Sequence, residues 1–143
     1  MSHAAFESQA QTDAEALALK IPMLVNEDPD LQRRANLFDN RWLLKIGPVE
    51  FHVAQASGRI VSFERGPFFM RAWSFGVAAE PQDWLAHWQP IPAPGDHDIL
   101  AMSKRGALQL SGDLTPLMQN LQVMKDVLAS PRAIAAQTPE VRS

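Results

Sequence analysis

The stretch 106–124, GALQLSGDLTPLMQNLQVM, most constrains the fold, because a short strand passes directly into an amphipathic helix. Leu108 and Leu110 alternate with smaller or polar residues, which is typical of a half-buried strand. After Gly112 and Asp113, apolar residues recur at steps of three and four, so they form one helical stripe. The members of this stripe are Leu114, Leu117, Met118, Leu121, Met124 and Leu128. The segment predicts a sheet with a helix packed against it.

Length and composition indicate a single soluble domain. The chain has 143 residues, of which 46% are hydrophobic and 20% are charged, and this is enough to bury a core. Its net charge of −3 argues against a nucleic-acid partner, which would select for a basic face. The absence of cysteine excludes disulfides and thiol catalysis and fits a reducing compartment. With neither a signal peptide nor a membrane-spanning run, the predicted location is the cytoplasm.

The middle of the chain predicts strands that are separated by tight turns. The expected strands cover 41–46, 49–55, 60–64 and about 69–79. Because the connections between them are too short for crossover helices, an antiparallel meander is expected. In the fourth strand Trp73 would share a face with Phe75 and Val77, whereas the opposite face carries only small residues. Those small residues either admit a closely packed helix or leave space for a ligand.

Helices are predicted on both sides of this strand-rich block. The expected helices cover 13–19, 31–38, a segment starting at 80–83, 97–105 and 114–128. Asp28 and Asp113 are interpreted as N-terminal capping residues, and Pro131 as the end of the last helix. The predicted organisation is an N-terminal polar and helical extension (1–25), a ligand-binding domain (26–131) and a flexible tail (132–143).

No constellation of catalytic or metal-binding residues stands out. Asp83 and His87 lie one helical turn apart and His97 precedes Asp98, but a metal site needs three or four converging ligands. His52 alternates with apolar neighbours and is expected on a strand surface, since no activated nucleophile is identifiable. The sequence therefore predicts no enzyme, no metal and no cofactor. A small enzyme that uses His52 or His97 is the third and weakest alternative.

The aromatic residues favour an apolar ligand. The chain has four tryptophans and seven phenylalanines but no tyrosine, so a pocket lined by them would offer few hydroxyl groups to a polar substrate. Several of these aromatic residues fall close together in sequence: Phe68, Phe69, Trp73, Trp84 and Trp88.

Two segments resemble a known family. The segment WSFGVAAEPQDWLAHW (73–88) is similar to its outer strand, turn and helix, and DILAMSKRGALQLSGDLTPLMQNLQVM (98–124) to its helix, strand and last helix. This is the sterol carrier protein 2-like domain, or SCP-2 sterol transfer family, and the resemblance covers roughly 31–130. It implies an α+β fold in which helices cover a five-stranded, mostly antiparallel sheet, with an apolar tunnel between them. It also implies non-covalent binding of a sterol, a fatty acid, or an acyl or prenyl lipid.

Within that framework the ligand is expected to lie between the sheet and the helices, with the last helix as a lid. The predicted ligand-binding residues are Phe51, Phe63, Trp73, Phe75, Trp84, Met102, Leu117, Met118 and Leu121. The alternative is an accessory module that docks its sheet and its Trp84 and Trp88 helix to a partner enzyme, as in SCP2-like accessory proteins of ubiquinone biosynthesis. A bacterial source fits such stand-alone domains, and a homodimer and transient membrane contact are left open.

Overall fold

The computed structural model describes residues 3–137 and shows a five-stranded sheet with helices packed on one face. The strands are β1 (Asn40–Ile46), β2 (Val49–Ala56), β3 (Arg59–Arg65), β4 (Phe75–Ala79) and β5 (Leu108–Gly112). The helices are α1 (His3–Ala18), α2 (Ile21–Asn26), α3 (Pro29–Arg34), α4 (Pro81–His87), α5 (Ile99–Lys104), α6 (Thr115–Gln119), α7 (Leu121–Ala129) and α8 (Arg132–Gln137).

The order of strands in the sheet is β3-β2-β1-β4-β5. All neighbouring strands are antiparallel except β1 and β4, which pair in parallel from Trp42 opposite Phe75 to Ile46 opposite Ala79. The prediction of an α+β fold with a mostly antiparallel five-stranded sheet is confirmed. The expectation that the fourth strand continues the meander is wrong. Because the strand begins only at Phe75, the preceding segment 66–74 is free to cross from β3 to the far side of β1.

One face of the sheet forms the core with the helices. Trp42, Leu44 and Ile46 alternate along β1 and are fully buried, as the period of two requires for a strand with one covered face. Their partners on the neighbouring strands are apolar as well and extend the same layer: Val49, Phe51, Val53, Phe75, Val77 and Ala79. This face is called the inner face below, and the opposite one the outer face.

Three buried tryptophans donate hydrogen bonds through their indole N–H groups, and two of these bonds link α4 to other elements. The Trp42 indole donates to Gln55 Oε1 at 2.9 Å within the sheet. The Trp84 indole of α4 donates to the carbonyl oxygen of Lys45 in β1 at 2.9 Å, and that of Trp88 to the carbonyl oxygen of Leu128 in α7 at 2.7 Å. Because each buried donor has an acceptor, the rings add apolar area to the core without an unsatisfied polar group.

The N-terminal helix is longer than the sequence predicts. It begins at His3 rather than near Asp13, and its alanines at steps of four (Ala10, Ala14 and Ala18) are buried. These small side chains allow α1 to approach α4 and β1 closely. The predicted cap of α3 is confirmed, since the Asp28 carboxylate accepts a hydrogen bond from the Leu31 amide at 3.1 Å.

The C-terminal helices also differ from the prediction. The expected continuous helix over 114–128 is divided into α6 and α7 at Asn120, whose backbone angles (φ −127°, ψ 36°) leave the helical region. Residues 132–137, the first part of the predicted flexible tail, form α8, and the flexibility of the tail stays a prediction. The rest of that predicted tail, 138–143, lies outside the described residues.

Gly58 and Gly106 both need the backbone freedom of glycine, but only Gly58 also lacks space for a side chain. Both have positive φ, of 79° and 84°, but a Cβ on Gly58 would lie 2.5 Å from the Ala35 carbonyl oxygen, whereas one on Gly106 would meet nothing within 4 Å.

We expect Gly106→Ala to cost only the backbone strain, about 1 kcal/mol of unfolding free energy. Gly58→Ala should cost roughly 1–3 kcal/mol more, because the overlap is added. Urea unfolding of both variants measures this difference, and equal losses would contradict the close approach.

Candidate functional site

Most of the predicted ligand-binding residues meet between the inner face of the sheet and the helices. Five of them are fully buried in this layer: Phe51, Phe75, Trp84, Met102 and Leu117. Phe63 and Leu121 are half-buried and pack against the same cluster, with the Phe63 ring stacked on that of Phe51 at 5.0 Å between centroids. Seven of the nine residues therefore belong to one apolar layer that is formed by β2, β3, β4, α4, α5, α6 and α7.

The other two predicted residues lie elsewhere. Trp73 precedes β4 and is 38% exposed, on the outer face of the sheet. Met118 is 46% exposed on α6, where Leu117 is the residue that points into the core. For Trp73 the reason is the late start of β4, which local periodicity does not reveal, whereas Met118 follows Leu117 on the short helix α6 and only Leu117 is buried.

The inner layer is filled by aromatic rings. Trp42 and Phe75 stack with 6.1 Å between centroids, and Trp84 and Trp88 with 5.3 Å. None of the four clefts that we delineate within residues 3–137 is lined by Phe51, Phe75 or Trp84. The predicted tunnel is therefore not shown in this structure, although a continuous cluster of apolar side chains occupies the layer in which it was expected.

The outer face carries an open cleft of about 410 Å³ instead. One wall is the end of the segment 66–74, which crosses the sheet between β3 and β4, and its lining residues are Ala72, Trp73 and Ser74. The apolar part of the lining consists of Ala54, Ala56, Val61, Ala72 and Trp73, and the polar part of Asp39, Asn40, Arg41, Gln55 and Ser74. A narrow extension of the cleft reaches His52, Ser62 and Arg71. Of these residues only Trp73 was predicted to bind a ligand.

Trp73 explains the small residues of β4. A Cβ on Gly76 would lie 3.7 Å from the Trp73 ring, and one on Gly112 would lie 2.8 Å from it. The indole of the chain's own crossing segment, and not a helix, therefore packs over the small residue Gly76 of β4. Arg41 of β1 and Ala54 of β2, which pair opposite each other, line the cleft beside this ring. Strand parity puts both on one face, but parity alone does not say which face the helices cover.

His52 is covered by the same crossing segment. Its ring is buried beneath Phe68 in an edge-on contact with 5.0 Å between centroids, so the expectation of a surface histidine is wrong. Its Nε2 lies 3.3 Å from the Glu50 carboxylate. Among the contacts of the described residues, no hydroxyl group is hydrogen-bonded to the His52 ring, so this pair lacks the nucleophile of a catalytic triad.

His87 is also buried, at the end of α4, where the sequence indicates a surface or capping role. Its Nδ1 lies 2.8 Å from the Asp96 carbonyl oxygen, which only accepts, so Nδ1 carries the proton. The Arg132 guanidinium, 3.2 Å from the same nitrogen, is then a neighbouring donor rather than a partner. Within the described part of the chain Nε2 has no hydrogen-bond partner. Burial lowers the pKa of His87 to about 4.

Within residues 3–137 no group of three or more histidine, aspartate or glutamate side chains converges on a point that would hold a metal ion. In the same range, no helix combines the length and the apolar character that crossing a bilayer requires.

Known structures share this arrangement of strands and helices. The structure of sterol carrier protein 2 aligns with a TM-score of 0.64 over 82% of this chain and 94% of its own, at 17% sequence identity. The chain has the sterol carrier protein 2-like fold. A conserved hypothetical protein of Thermus thermophilus shares this SCP2-like fold with a TM-score of 0.55 at 18% identity, over 82% of this chain and 87% of that one.

The ubiquinone synthesis protein UbiJ-SCP2 is similar as well, with a TM-score of 0.54 at 13% identity over 88% of this chain and 92% of its own. No protein-family model matches the sequence, and no curated protein matches it significantly. The likeness is therefore one of SCP2-like fold, and it extends over nearly the whole length of each of the three structures.

The low pKa of His87 predicts a loss of stability in acid. Below its ordinary pKa of 6.5 the unfolded chain binds a proton that the folded chain excludes, so stability falls as the pH drops from 6.5 towards 4. Between pH 7 and pH 4.5 this histidine should account for roughly 2–3 kcal/mol of the unfolding free energy. His87→Asn should lose correspondingly less over that interval, measured by urea unfolding. His97→Gln, which changes an exposed ring, should lose as much stability over this interval as the unmodified protein. If His87→Asn also loses as much as the unmodified protein, His87 is not the source of the acid sensitivity.

Proposed function

We propose that this protein binds and carries an apolar ligand without catalysing a reaction on it. The ligand class is a sterol, a fatty acid, or an acyl or prenyl lipid. The observation that carries the proposal is the uninterrupted apolar layer between the inner face and the helices, in an SCP2-like fold. One of the structures with this fold is named for sterol carriage, which supports the same class of ligand here.

The predicted site residues are part of this proposal. Phe51, Phe63 and Phe75 would contact the ligand from the sheet, and Trp84 and Met102 from α4 and α5. Burial of apolar ligand surface supplies about 25 cal/mol per Å² before the ordering cost of binding is subtracted. Because aromatic rings now occupy the layer, a ligand has to displace protein side chains, and binding is coupled to a movement of the chain.

Helix α6 is the element best suited to that movement. It has only five residues, and an isolated helix of this length is unstable in water. Leu117 inserts into the core from α6, while Leu114 and Leu121 at its two ends are half-buried. At its start, the Asp113 carboxylate accepts a hydrogen bond from the Thr115 amide at 3.0 Å. At its end, the break at Asn120 separates α6 from α7. An outward shift of α6 would withdraw Leu117 and open the apolar layer.

The decisive test is native mass spectrometry of freshly purified protein, followed by solvent extraction. We expect a discrete adduct that is lost on denaturation and is identified in the extract as a lipid. If the mass is that of the bare chain, and added oleate, cholesterol and a prenyl quinone all fail to bind, the proposal is wrong.

A label on α6 tests the lid. The chain has no cysteine, so Met118→Cys introduces a single site for an environment-sensitive dye on the exposed side of α6. Added oleate should shift the emission of this dye, because α6 moves when the ligand enters. The same dye on Gln109→Cys, which is exposed on β5, should change little. Ligand binding that leaves both dyes unaffected would contradict movement of α6.

An accessory role in an enzyme complex is the second candidate, and the filled inner layer favours it. The likeness to UbiJ-SCP2, named as a ubiquinone synthesis protein, is compatible with this role. The surface that the sequence suggested for docking is not available, because Trp84 and Trp88 are both buried. Exposed apolar residues do occur at Phe69 (93%), Met70 (85%) and Ile91 (90%). A stoichiometric protein partner that co-purifies with lipid-free protein would favour this candidate over free carriage.

A further inference from the structure

The outer cleft differs in chemistry from the inner layer. Its floor is the small side chain of Ala54 on β2, and its walls are Val61 of β3 and Ala72 and Trp73 of the crossing segment. These apolar groups face a space of about 410 Å³, which lies in the range of small-molecule sites. The space is open to solvent without any rearrangement of the core, in contrast to the inner layer.

The Trp73 ring forms a fixed platform in this cleft. One part of it packs over Gly76 and Gly112, where an added Cβ would be in contact with the ring or overlap it. The amide of Ser74 donates to the Arg41 carbonyl oxygen at 2.8 Å, and that of Asp113 to the Ser74 carbonyl oxygen at 2.7 Å, so the backbone beside the ring is tied to both neighbouring strands. A platform held in this way loses little freedom when a flat molecule stacks on it.

Two arginines line the cleft, and they differ in their partners. The Arg71 guanidinium pairs with Glu64 and lies 3.7 Å from the centroid of the Phe68 ring, so its charge is already compensated. The Arg41 side chain makes no hydrogen bond or ion pair with any residue in the described part of the chain. Asp39, the acidic residue of the lining, accepts the Ser57 amide at 2.6 Å. Arg41 is therefore the cleft arginine that has no ion-pair partner among the described residues, and the Asp39 carboxylate, which an amide hydrogen bond does not neutralise, is the negative charge of the same lining.

We propose that the outer cleft binds a small amphipathic carboxylate whose apolar or aromatic body stacks on Trp73 and whose anionic group pairs with Arg41. A planar guanidinium matches a carboxylate with two parallel hydrogen bonds, and the apolar walls desolvate the body of the ligand. This site is separate from the inner layer, because the sheet lies between them. It neither requires nor excludes lipid carriage, and it can be tested independently.

The probes are 1-naphthoate and its neutral counterpart 1-naphthamide, which have nearly the same shape and differ in charge. Each is titrated into the full ¹⁵N-labelled chain, and the four tryptophan indole N–H signals are followed by NMR. Trp73 is the exposed indole, whereas those of Trp42, Trp84 and Trp88 are hydrogen-bonded in the interior. We expect 1-naphthoate to shift the Trp73 signal and 1-naphthamide to bind about tenfold more weakly, as the loss of a charged hydrogen bond requires.

Variants test whether the Arg41 guanidinium pairs with the anionic group of the probe. Arg41→Gln should reduce the affinity for 1-naphthoate about tenfold, to that of the amide, while Arg33→Gln on exposed α3 should leave it unchanged. Ala72→Glu adds a carboxylate to the cleft wall and should abolish the shift. The proposal is overturned if 1-naphthoate at several millimolar produces no Trp73 shift, if acid and amide bind equally, or if Arg41→Gln binds as before. Shifts confined to the interior indoles would place the probe in the inner layer and also overturn it, while supporting the carrier function.

Discussion

The parallel pairing of β1 with β4 is the constraint on which the rest of this structure depends. A strand that leaves β3 at Arg65 has to pass both β2 and β1 before it can pair on the far side of β1. Since the helices occupy the inner face, the connection 66–74 crosses the outer face. That crossing buries His52 under Phe68 and lays Trp73 over the small residues of β4. The outer cleft is the space that remains beside it.

On the inner face, the same pairing places the aromatic rings at the centre of the core. Trp42 of β1 lies opposite Phe75 of β4, and the two rings stack. The indoles of Trp84 and Trp88 then join α4 to the sheet and to α7. Such a core is stable because its large rings are buried with satisfied donors, but it leaves no preformed space for a lipid. Under the proposed carrier function, the affinity for a lipid would be reduced by the cost of populating an open state.

The two faces of the sheet consequently differ in chemistry. The inner layer is a buried cluster of apolar side chains, so a ligand that enters it by the proposed movement of α6 would have to be apolar. The outer cleft is open and combines the Trp73 ring with the Arg41 guanidinium, so the ligand proposed for it would need a charge as well as apolar area. The sheet separates these two proposed sites, which differ in their access to solvent.

The sequence by itself determined the local elements. The period of two in β1, β2, β3 and β5 and the Asp28 cap of α3 are properties of neighbouring residues, and seven of the nine residues predicted to bind a ligand share one apolar layer. Only the tertiary structure decided that Trp73 lies before β4 rather than in it, that α6 ends at Gln119 and that His52 and His87 are buried. The physical reason is that strand pairing, helix breaks and burial depend on contacts between residues far apart in the chain, which local periodicity does not contain.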